Sequence, residues 1–81
     1  MGLTIEMHDP VGQIMEELDY PGITQASVAI TYAFIIAQLG DAAPWPEINL
    51  KIRQKWPGKT ALERVKVTAW KRVEEWSKRA S

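Results

Sequence analysis

Eighty-one residues, 46% of them apolar and 25% charged, suffice for one globular domain and leave no room for a second. That composition excludes disorder over most of the chain, and the absence of cysteine excludes disulfides, thiol nucleophiles and thiolate metal sites. The formal net charge of zero hides a split: residues 1–50 hold seven acids and no Lys or Arg, and residues 51–81 hold ten bases against three acids, so the two stretches carry −7 and +7.

In chain order, residues 1–8 read as a flexible lead-in, and residues 9–81 as a single helical domain. No basic stretch followed by an apolar one opens the chain, so no signal peptide is expected, and the lack of cysteine fits a reducing cytoplasmic setting. Asp9-Pro10 starts a first helix over about 10–19, with Asp as N-cap and Pro at the first helical position. Val11, Ile14, Met15 and Leu18 then form an amphipathic stripe, which Tyr20-Pro21-Gly22 ends. Thr24 caps a second helix over about 25–39, stopped by Gly40. This helix is apolar round nearly its whole circumference, which predicts a place at the centre of the core.

The uncharged run from Tyr20 to Gly40 invites a membrane reading, but it carries Pro21, Gly22, Gln25 and Gln38 and is flanked by acids. Its apolar helical part falls short of the ~20 residues a bilayer needs, so no membrane partner is expected. Asp41 to Pro46 forms a stiff connection. A third helix follows over about 46–56, burying Trp45, Ile48, Ile52 and Trp56 on one face and exposing Lys51, Arg53 and Lys55. Pro57-Gly58-Lys59 makes a turn, and Thr60 with Glu63 forms a capping box for a fourth helix over about 61–78. Leu62, Val65, Ala69, Val73 and Trp76 share one arc of that helix, while Arg64, Lys71 and Lys78 lie opposite. Lys71 and Glu75, Glu74 and Lys78, and Glu75 and Arg79 are spaced as i,i+4 ion pairs. The expected fold is all-α: four helices, helix 2 buried, helices 3 and 4 paired as a helix-turn-helix.

The residues for catalysis do not assemble in the sequence. His8 is the single histidine, so no second imidazole can build a metal site or a triad, and Ser27, Ser77 and Ser81 have no obvious base. No glycine-rich phosphate loop is present, and Glu16 and Glu17, being adjacent, diverge on a helix. Neither an enzyme nor a bound cofactor or metal is expected.

A helix, a short Gly-containing turn and a second helix have the form of a helix-turn-helix, whose second helix reads the major groove. Lys59, Thr60, Glu63, Arg64 and Val67 would then face base edges, with Arg64 suited to guanine and Val67 to a thymine methyl. Lys51, Arg53, Lys55, Lys66 and Lys71 would serve phosphates. Trp45-Pro46-Glu47-Ile48, Pro57-Gly58-Lys59-Thr60 and Trp70 resemble the Myb-like branch of helix-turn-helix domains. That family has a Trp-x-x-Ile helix, a Pro-Gly-Arg-Thr turn and a tryptophan on its recognition helix. The likeness covers residues 45–70 and departs in spacing and identity: helix 3 is about a turn too long, Trp70 comes slightly too late after the turn, and Lys59 stands for Arg. It implies DNA as the partner.

A second class of function is docking on a protein, as an adaptor or inhibitor. Glu16, Glu17 and Asp19 make the first helix acidic, and Leu50, Val67 and Trp70 fall off or at the edge of their apolar stripes. Trp70 is expected to complete the core; exposed, it would be an interface hot spot. A homodimer through this surface is compatible with either function. The small size and tryptophan-rich helices also look like small phage or mobile-element accessory proteins. The charge split can equally be satisfied inside the fold, by the acidic half docking on the basic half.

Overall fold

The Asp9 carboxylate accepts a hydrogen bond from the Gly12 N–H at 2.9 Å and starts α1, Pro10–Asp19. A Cβ at Gly12 would run into that carboxylate, so glycine lets the cap close. The protein is described here by a computed structural model, which covers residues 9–80; the lead-in expected over 1–8, with His8, lies outside the described residues. The Thr24 hydroxyl accepts from the Ser27 N–H at 3.1 Å and starts α2, Gln25–Leu39. Gly40 ends α2 with φ 52° and ψ −127°, a conformation open to glycine, and its N–H reaches the Ile35 and Ile36 carbonyls.

A 3-10 turn, Gly40–Ala42, leads to α3, Trp45–Lys55. This helix begins and ends one residue earlier than its spacing predicts. The Trp45 N–H already bonds the Ala43 carbonyl, leaving Pro46 in the second position. At the other end Trp56 leaves the helix at φ −124°, ψ 85°, because the residue before a proline disfavours the α region. Gly58 turns the chain at φ 127°, and α4 runs Thr60–Ala80, so Thr60 lies inside the helix and its end falls beyond the expected Lys78.

Among the described residues the fold is all-α, four helices around α2. α4 lies along α2, α1 packs against both α2 and α3, and α3 also touches the start of α4. Val28, Ala29, Tyr32, Ala33 and Ile35 of α2 are buried, together with Ile14, Leu18, Ile48, Ile52, Leu62, Val65 and Ala69 from the other helices. Full burial of each large aliphatic side chain contributes about 1.5–3 kcal/mol. Val73 and Trp76 pack at the edge of this core, Trp76 against Phe34 with ring centroids 4.9 Å apart.

Among the described residues one polar residue lies inside: Thr31, whose hydroxyl reaches both carboxylate oxygens of Glu17 at 2.8 Å. Gln13 Nε2 donates to the same carboxylate at 2.9 Å, so the α1–α2 contact is locked by a satisfied polar cluster. No helix among the described residues is long and apolar enough to cross a membrane.

Candidate functional site

The candidate DNA-contacting residues separate into three environments. Lys51 pairs with Asp19 at 3.0 Å, and Lys55 donates to the Tyr20 carbonyl at 3.1 Å while its ammonium sits 5.7 Å from the Trp56 ring centroid. Both lysines are half-buried and bind the C-terminal end of α1. The acidic half does dock on the basic half at this point. Lys51 and Lys55 are thus each held by an acceptor at the C-terminal end of α1.

Arg53 and Lys59 are exposed and line one hollow beside the turn, together with Pro57, Gly58, Leu62 and Glu63. Thr60, Arg64 and Val67 line the adjoining hollow on the outward face of α4, with Glu63 and Thr68. Lys71 is exposed one to two turns further along. At about 100° per residue, Thr60, Arg64, Val67 and Lys71 share a face directed away from α2. Among the described residues no salt bridge engages Arg53, Lys59, Arg64 or Lys71, and Lys71–Glu75 and Glu75–Arg79 do not close as spaced. These four cations and the single Glu63 give the start of α4 a net positive surface.

Lys66 belongs elsewhere. It is half-buried and lines a cleft of about 200 Å³ with Tyr32, Ile36, Gly40, Asp41, Trp45 and Trp70. Trp70 does not complete the core as its place at the edge of the stripe predicts: it lies about 100° round α4 from buried Ala69, and the indole stands 54% exposed beside the cleft. The cleft floor is fixed. Tyr32 and Trp45 pack with ring centroids 4.8 Å apart, Trp45 Nε1 donates to the Gly40 carbonyl at 2.8 Å, and the Tyr32 hydroxyl donates to Asn49 Oδ1 at 2.8 Å. Sequence reasoning missed Tyr32, Asp41 and Trp45 as a site, because the residues come from α2, the 3-10 turn and α3 and no local period unites them.

Burial pushes the Tyr32 hydroxyl up to about 12, the Asn49 contact offsetting only part of this. A tyrosine with a raised folded pKa contributes its full stability below its unfolded pKa of about 10 and loses it as pH rises towards about 12. The gap corresponds to roughly 2–3 kcal/mol. Urea midpoints should therefore drop on raising pH from about 8 to about 11. Tyr32→Phe should flatten that drop, and an equally steep fall in the variant would show that other groups control it.

Of the residues proposed for a protein interface, Glu16 is exposed on α1 and Leu50 stands 55% exposed on the outer face of α3. Glu17 is turned inward to Thr31, so it presents little to a partner. Among the described residues no group of three or more His, Asp or Glu gathers to hold a metal ion. Comparison with known proteins finds no family model, no curated protein and no solved structure that matches this chain.

Proposed function

We propose that the protein is a small, non-enzymatic DNA-binding factor that lays the N-terminal half of α4 on a duplex. The observation that carries this is the unpaired cationic face formed by Arg53, Lys59, Arg64 and Lys71 around exposed Thr60 and Val67. A groove-reading helix needs short polar and apolar groups at its tip and cations on both sides, and this face has that order. α3 and the turn bring Arg53 and Lys59 alongside, which matches the positioning role of phosphate contacts. The likeness of residues 45–70 to Myb-like domains points the same way.

Arg64→Ala should weaken duplex binding by about 1–3 kcal/mol if its guanidinium meets a guanine, and less on sites lacking one. Lys51→Ala should leave affinity unchanged while lowering stability slightly, because Lys51 is committed to Asp19. Electrophoretic shift and urea unfolding on the same two variants separate these effects. Equal losses of affinity in both would show that the contact surface is not this face.

A second reading, docking on another protein, is favoured by one observation: the half-exposed Trp70 beside its aromatic cleft. Large exposed aromatics next to a pocket are where interfaces concentrate binding energy.

A further inference from the structure

The cleft under Trp70 has three properties that together specify its occupant. Its volume of about 200 Å³ lies below the ~300–1,000 Å³ usual for small-molecule sites, so it suits one protruding side chain. Its floor is chemically finished: the polar atoms of Tyr32 and Trp45 bond to Asn49 and Gly40, so these two lining side chains have no polar group left to satisfy. Lys66 and Asp41 both line it, and neither is in a salt bridge with a described residue. A complementary surface must therefore offer a large apolar group between one cation and one anion.

This chain carries those groups itself, as exposed Trp70 with Lys66 and Asp41 on the same cleft. We infer that the protein forms a two-fold dimer in which each Trp70 seats over the other copy's cleft and each Lys66 pairs with the other copy's Asp41. A patch with one charge of each sign beside an apolar centre is self-complementary under a two-fold axis, which an isologous interface requires. Burying the Trp70 ring supplies the apolar gain, and small domains gain stability from such association. Arg64 and Lys71 lie about 100–120° round α4 from Trp70, so the dimer leaves the cationic face open. The inference stands apart from DNA binding, and either can fail alone.

Sedimentation velocity of the full chain from micromolar to millimolar concentration tests it. The wild type should shift from monomer towards twice its mass. Trp70→Ala should weaken the dimer at least about tenfold, as should Lys66→Glu or Asp41→Lys alone. The double variant Lys66→Glu/Asp41→Lys should recover the wild-type dissociation constant to within a few-fold, because the reversed charges again face each other across the axis. Far-UV circular dichroism confirms that each variant is folded, and all the substituted positions lie at the surface or the cleft rim. A wild type that remains monomeric throughout overturns the dimer. So does a Trp70→Ala protein that dimerises like the wild type, or a double variant no better than the singles.

Discussion

Ile35→Ala should remove roughly 2–5 kcal/mol from the folding free energy, the range for truncating a fully buried isoleucine. Ile35 is fully buried in α2, the helix that both α1 and α4 pack against, so the space it leaves has walls held by other elements. Collapse into that space would require α2 to move relative to its neighbours. A domain of this length has only about 4–12 kcal/mol in total, so the variant should be partly unfolded at room temperature or close to it. Leu50→Ala, by contrast, removes a side chain that is 55% exposed and should stay within about 0.5 kcal/mol of wild type. Urea unfolding followed by circular dichroism distinguishes the two. Similar midpoints would mean that the centre of the fold does not lie at α2.

The affinity for duplex DNA should fall roughly a hundredfold between about 50 and 200 mM monovalent salt. The figure follows from the cations that remain once Lys51 and Lys55, held at α1, and Lys66, in the Trp70 cleft, are set aside: Arg53, Lys59, Arg64 and Lys71. Each phosphate contact displaces counterions and adds about 0.9 to the slope of log affinity against log salt, so four contacts give a slope between about −3 and −4. All seven candidate cations of the sequence would give a slope nearer −6. Arg64→Glu should cut the slope by about one or more, and the loss should be similar on all sequences if Arg64 serves a phosphate. A loss concentrated on one sequence would instead place Arg64 at a base edge.

Helix positions were legible because their signals are local. Asp9 and Thr24 each accept from the backbone three residues on, Gly40 takes a conformation other residues avoid, and Leu62, Val65 and Ala69 keep the helical period. Boundaries slipped at Trp45, Trp56 and Thr60, where a proline or a turn competes with the helix over a single residue. The roles of the cations were not legible. Whether Lys51 and Lys55 face solvent depends on where Asp19 and Tyr20 come to rest, more than thirty residues earlier in the chain. Nothing in the i,i+4 pattern of α3 carries that information. Glu17 reads as an exposed acid on α1 until Thr31, an isolated polar residue on an apolar helix, is brought against it. Trp70 sits at the margin of the α4 stripe, and whether another element covers that flank is not written in the local period; here the indole stays exposed.

The most direct test of DNA binding through α4 is fluorescence anisotropy of a labelled random-sequence duplex titrated with the full chain at about 50 and 200 mM salt. The cationic face predicts saturable binding at the lower salt and roughly a hundredfold weaker binding at the higher. No change in anisotropy at the lower salt, or an affinity indifferent to salt, would contradict it and direct attention to a protein partner at Trp70.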